Sequence, residues 1–183
     1  MHVVSIAGVK RRLPIVQIQP HMWIASDAEL ILGDVEFLSK AAGLLAAKVR
    51  PYGADAILTA EAKSIALAYE LSRILGKERF LVARKSAKSY MRDFAAEKVR
   101  SITTAAEQEL LLTAEEMEWL KGKKICLLDD VVSTGATFSA LESLVRKSGG
   151  VVACKAAIWK EGPWYKSHDV VYLGTLPIFV DEP

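Results

Sequence analysis

Two apolar rhythms alternate along the chain, and each predicts a different element. Val35, Leu38, Ala42, Leu45 and Val49 recur at steps of three and four, one face of a helix from about Asp34 to Arg50. Ile65, Ala68, Leu71 and Leu75 mark a second helix, with Gly76 placed to cap its end. Phe138, Leu141, Leu144 and Val145 line a third, which stops at Gly149-Gly150. Thr113 with Glu116 makes a capping-box pattern for a small helix closing at Gly122. Between the helices lie short runs that are apolar almost throughout: Asp55 to Leu58, "RFLVA" (79–83), "KICLLDD" (124–130), "VVACKAAIW" (151–159) and "VVYLG" (170–174). A strand that is apolar on both sides is covered on both sides, and strands separated by helices pair in parallel. The predicted fold class is α/β, a mainly parallel sheet with helices on both faces.

Two segments break the alternation. Residues 1–32, with "LPIVQIQPHMWIAS", read as strands or a hairpin outside the main sheet. Ser86 to Leu112 is long and polar, and holds a two-strand ribbon, "VRSITT" and "EQELLL", around Ala105-Ala106. A connection of that length in a compact domain suggests a lid or a binding loop. No repeat or linker divides the chain, so 1–183 reads as a single domain.

Composition narrows the function classes. A hydrophobic fraction of 51% and a charged fraction of 25% are ordinary for a soluble globular protein, and 183 residues suffice for one buried core. A net charge of +2 is too small to imply nucleic acid or a membrane surface as the main partner, and neither is expected. No apolar run reaches the roughly 18 residues of a spanning helix, and "MHVVSIAGVKRRLP" lacks the apolar stretch of a signal peptide. The expected location is the cytoplasm. Cys126 and Cys154 sit in apolar strands and read as buried free thiols, while His2, His21 and His168 are scattered, so no metal cluster is expected.

The chemistry concentrates in "LLDDVVSTGAT" (127–137), an apolar strand that ends in two adjacent acids and a Ser-Thr-Gly turn. Ligands of open parallel sheets bind at the carboxyl ends of the strands, where Asp129 and Asp130 fall. Ser133, Thr134, Gly135, Ala136 and Thr137 lead into the next helix, whose first-turn N–H groups form an anion site. An anion cradle beside two acceptors matches a sugar phosphate, a phosphate at one end and a vicinal diol at the other. Standing at a solvent-facing strand end, the two acids should tolerate conversion to amides with little loss of stability. The spacing does not match the G-x-x-x-x-G-K-[ST] loop of nucleoside triphosphatases.

"ICLLDDVVSTGAT" resembles the phosphoribosyl-pyrophosphate (PRPP) signature of the type I phosphoribosyltransferases, closest to the adenine and purine enzymes. "AEAKSIA" (60–66) resembles that family's pyrophosphate loop, and "ARKSAKSYM" (83–91) its basic stretch after the next strand. The resemblance implies a type I fold with a small hood, from residues 1–32 and 158–183, and a mobile flap over 86–112. It implies that Asp129 and Asp130 hold the ribose hydroxyls and Ser133 to Thr137 the 5′-phosphate. Ala62, Lys63, Ser64 and Lys85 would meet the pyrophosphate, and Lys88 would join the two acids in the chemical step. Mg²⁺, bound mainly through PRPP and water, would be the cofactor, and a homodimer the assembly.

Departure of pyrophosphate builds positive charge on the ribose, which fixed acids beneath the sugar and cations on the leaving group stabilise. The base is less legible. In 6-oxopurine enzymes of the family an acid often stands at the position of Ser133, so a purine salvage enzyme of adenine type is the favoured reading. Near the base, Lys160 would donate to a 6-oxo group, Glu161 would accept from an amino group, and Trp159 could stack. Trp23 and Ile24 are hood candidates, and Glu97 a flap candidate. A 6-oxopurine or orotate enzyme, or a non-catalytic PRPP-binding regulator, remain alternatives.

Overall fold

The computed structural model describes residues 1–87, 94–99 and 108–181. Five strands form the central sheet: β5 (Ala56–Ala60), β6 (Phe80–Ala83), β9 (Lys124–Val132), β10 (Val151–Glu161) and β11 (Val170–Leu176). Their order is β11-β10-β9-β5-β6, every pairing parallel. Side chains alternate across a strand, and the two apolar cores follow that period. Ile57, Cys126 and Leu128 face one core, with helices α2 (Val35–Val49) and α3 (Ile65–Leu75). Leu58, Leu127 and Ile125 face the other, with α4 (Ala114–Leu120) and α5 (Ala136–Lys147). The apolar runs are continuous because both faces are covered. Cys126 and Cys154 are free and buried, as expected, and stand opposite one another in β9 and β10.

Local signals set the helix ends. Asp34 accepts the Phe37 N–H at 2.9 Å and starts α2, and Gly76 closes α3 with φ +67°. Both halves of the Thr113–Glu116 capping box are formed at α4.

The amino-terminal segment forms two antiparallel units. β1 (His2–Ile6) pairs with β2 (Val9–Leu13), and β3 (Ile15–Gln19), β4 (Met22–Ala25) and the distant β12 (Ile178–Val180) make a three-stranded sheet. The same segment contains a helix that its reading as strands missed, α1 (Ala28–Gly33). Six residues are too few to display a helical period. The polar ribbon is also real, but its first strand is Phe94–Val99 (β7), paired with Gln108–Thr113 (β8). Of the expected first strand, 99–104, Val99 is the residue described, and it lies in β7. Ala95 and Ala96 carry no β-signal, which hid the true strand. The remainder of the expected ribbon and flap, 88–93 and 100–107, lies outside the described residues. No helix is long and apolar enough to cross a membrane among the described residues.

Candidate active site

The carboxyl ends of β5, β9 and β10 converge on a cleft of about 220 Å³. Its floor is the turn from β9 into α5. Ser133, Thr134, Gly135, Ala136 and Thr137 all line it, as expected. Gly135 occupies the N-cap with φ +83°, a left-handed conformation that glycine adopts without strain. It has no side chain to satisfy the first-turn amides of α5, and Ala136 N–H reaches Thr134 Oγ1 at 3.3 Å. Glycine is required here for a second reason. A Cβ on Gly135 would stand 2.3 Å from Cε2 of Tyr165, whose ring is packed against the turn. The Tyr165 hydroxyl donates to Asp169 Oδ1 at 2.5 Å, and Lys155 Nζ donates to Oδ2 of the same carboxylate at 2.8 Å. Burial, with the hydrogen bond to Asp169, pushes the Tyr165 phenol up to about 12.

The two acids differ. Asp129 lines the cleft, and its Oδ1 accepts the Asp130 N–H at 3.0 Å. Asp130 turns to Lys63, whose Nζ lies 2.5 Å from Asp130 Oδ2 and 2.5 Å from Asp27 Oδ1. Neither acid is solvent-facing: Asp129 is 8% and Asp130 4% exposed, because β9 runs two residues past them to Val132. Burial first, then the neighbouring Asp130, holds the Asp129 carboxyl well above the usual carboxylate range. Burial alone would lower the Lys63 ammonium, but Asp130 and then Asp27 outweigh it and hold it charged.

The pyrophosphate-loop residues are only partly available. Lys63 faces the site but is held between two carboxylates. The Ser64 hydroxyl is fully buried and bonded to Thr59 Oγ1 at 2.8 Å, so it cannot reach a ligand. Ala62 N–H donates to the Ala60 carbonyl at 2.8 Å. The Ala62 N–H and the Ser64 hydroxyl are therefore already engaged in shaping the turn. Lys85 is exposed, with its backbone N–H on Glu61 Oε2 at 2.9 Å, and Arg84 is structural, pairing its backbone with Leu111. Lys88 lies outside the described residues.

Of the residues expected near a base, Glu161 and Ile24 line the cleft; Lys160, Trp159 and Trp23 do not. Trp159 is 2% exposed and stacks on Phe37 of α2, ring centroids 6.0 Å apart, so stacking on a base is ruled out. An aromatic at a strand end is drawn into the nearest core. Glu97 accepts from Ser143 Oγ at 2.8 Å and pairs with Lys147, both on α5, rather than reaching the cleft. Two residues of the site escaped the sequence reading. Tyr165 sits in an irregular stretch, and Asp27 stands where an N-cap would be expected, yet makes no capping bond.

Residues 31–177 match the Phosphoribosyl transferase domain family. The chain belongs to the phosphoribosyltransferase family. It is 33% identical over 129 residues to the adenine phosphoribosyltransferase of Thermosipho africanus, covering 70% of this chain and 72% of that one. The adenine phosphoribosyltransferase of Pseudothermotoga lettingae is 31% identical over 134 residues, 71% and 73% of the two chains. Among solved structures, the adenine phosphoribosyltransferase of Thermoanaerobacter pseudethanolicus superposes with a TM-score of 0.73 at 18% identity, over 89% of this chain and 95% of its own. That likeness shows the phosphoribosyltransferase fold, a parallel sheet flanked by helices with small antiparallel sheets added. The cleft described above stands at the carboxyl edge of that sheet.

Proposed function

We propose that this phosphoribosyltransferase moves ribose 5-phosphate from PRPP to a purine of adenine type, releasing pyrophosphate, in nucleotide salvage. One observation carries the reading: the amide-rich 133–137 turn and Asp129 line one cleft, and Asp130, bonded through its N–H to Asp129, grips the cleft-lining Lys63 from behind. The turn takes the 5′-phosphate. Asp129 accepts from the ribose diol, and Asp130 does so while also holding Lys63. As the bond from the anomeric carbon to pyrophosphate breaks, these acids face the positive charge that develops on the sugar. Lys63 and Lys85 are the cations placed for the leaving group, and the antiparallel elements at 1–32 and 158–183 serve as the hood.

Asp27, Asp129, Asp130 and Glu161 surround a single lysine, so the cleft suits a polyanion that carries its own cations. No cluster of three or more His, Cys, Asp or Glu side chains able to hold a metal occurs among the described residues. Mg²⁺ would arrive on PRPP as part of the substrate and would supply positive charge to the pyrophosphate, with Asp129 and Asp130 facing the ribose. Ser133 supports the adenine-type reading, since it leaves no acid at that position. Lys160, the candidate donor to a 6-oxo group, does not line the cleft. A cytoplasmic homodimer belongs to the same proposal, on the family resemblance alone. The test is pyrophosphate release with PRPP, Mg²⁺ and each of adenine, hypoxanthine, guanine, xanthine, orotate and uracil. Release with adenine is expected. PRPP binding without release for any base would point to a regulator and end the enzymatic reading.

A further inference from the structure

The base end of the cleft holds two acceptors that the protein does not satisfy. Asp27 is 2% exposed and lines the cleft; its Oδ1 binds Lys63, while its Oδ2 is buried without a hydrogen-bond partner among the described residues. Glu161, 6% exposed at the end of β10, lines the same cleft, and no hydrogen bond to its carboxyl occurs among the described residues. An unpaired buried acceptor costs free energy until a donor arrives. A ligand donor would complete both, because Lys63 is already shared between Asp27 and Asp130.

We propose that Asp27 and Glu161 together read an exocyclic amino group of the base, each accepting one of its two N–H bonds. This rests on the transferase reading above and deepens it. A 6-amino substituent supplies two donors in one plane, matching two acceptors that arrive from different elements: the loop before α1 and the end of β10. With the two carboxyls ionised, a 6-oxo group at the same place would set a carbonyl oxygen against them and leave both unpaired, so discrimination between substrates should be strongest above about pH 7, where Glu161 has lost its proton. The electrostatics agree with an unsatisfied pair. Burial first, then the charge of Asp27, pushes the Glu161 carboxyl up to about 7, with Asp130 adding to the rise and Lys63 opposing it. Asp27 is raised by burial and by Asp130, again against Lys63.

The experiment compares the native chain with Glu161→Gln and Asp27→Asn. It measures kcat/KM for adenine and hypoxanthine at saturating PRPP and Mg²⁺, and the affinities for AMP and IMP by calorimetry. An amide at either position can turn its NH₂ toward a 6-oxo group, so a change in preference separates base reading from general damage. In Glu161→Gln the adenine value should fall about 10- to 100-fold while hypoxanthine holds or rises. Asp27→Asn should shift the ratio in the same direction. A ratio that stays within about twofold of the native one in both variants, each folded at the assay temperature, overturns the proposal. A native chain that prefers hypoxanthine also overturns it. Should the native chain turn over no base, the transferase reading fails, and nucleotide binding decides this inference alone. Preference for AMP over IMP that collapses in Glu161→Gln then supports it; equal affinities in the native chain overturn it.

Discussion

Gly135→Ala tests the phosphate turn most directly, because the structure assigns two separate costs to one methyl group. The first is backbone strain: at φ +83° an alanine loses about 1–2 kcal/mol. The second is steric, since the new Cβ would lie 2.3 Å from Cε2 and 2.5 Å from Cδ2 of Tyr165. That ring cannot swing aside cheaply, being buried and tied by its hydroxyl to Asp169, so overpacking adds about 1–3 kcal/mol. The expected total is about 2–5 kcal/mol of lost stability in denaturant unfolding. The companion Tyr165→Ala should itself cost about 3–5 kcal/mol through the cavity it leaves. In the double variant the clash is gone but the strain remains, so the two changes should be less than additive by about 1–3 kcal/mol. Steady-state kinetics supply a second readout. Displacing the turn should weaken kcat/KM for PRPP by about 100-fold, well beyond any effect on the base. Additivity within about 0.5 kcal/mol would refute the argument that Tyr165 buttresses the turn.

Three further predictions follow from the carboxyls and one cap. Asp129→Asn and Asp130→Asn should each lower turnover by about 10²–10³. Their stabilities should diverge in urea: Asp130→Asn removes one of two anions from Lys63 and costs about 1–3 kcal/mol, while Asp129→Asn is neutral or stabilising because it replaces a carboxyl raised by burial. Glu161 holds its proton to about 7 when folded, against 4.5 ordinarily, so the unfolded chain releases it first and native stability falls as pH rises across that window. Glu161→Gln should therefore match the native chain near pH 4 and exceed it above pH 7 by on the order of 2 kcal/mol in unfolding titrations. Thr113→Ala removes the hydroxyl that accepts the Glu116 N–H, leaving the backbone half of the α4 capping box in place, and should lower stability by about 1 kcal/mol, read from the thermal midpoint.

The elements that read clearly in the sequence are those whose local signal and tertiary role coincide. The strands of the central sheet are buried on both faces, so their apolar runs admit few other readings, and Asp34, Gly76 and Thr113 mark helix ends by their own chemistry. The 133–137 turn at the cleft was equally legible, because the residues that make it are contiguous. What escaped depends on distance along the chain. Lys63 reads as a free cation until the fold brings it to Asp27, 36 residues away. Ser64 reads as a donor until Thr59 takes its hydroxyl. "IWKEGPW" holds an aromatic, a cation and an acid in a row, and periodicity does not say which of them the sheet buries, exposes or turns to the cleft. Packing decided for Trp159, against Lys160, and gave the cleft Glu161.

The paired thiols at the centre of the sheet have a use that involves no chemistry of their own. Cys126 is inaccessible on the middle strand, β9, and Cys154 nearly so beside it on β10, next to the edge strand β11. A thiol reagent can reach Cys126 only when the sheet itself parts, not when an edge frays. The rate at which the untouched protein takes up such a reagent at Cys126 is thus a built-in clock for its global opening, read without any introduced probe.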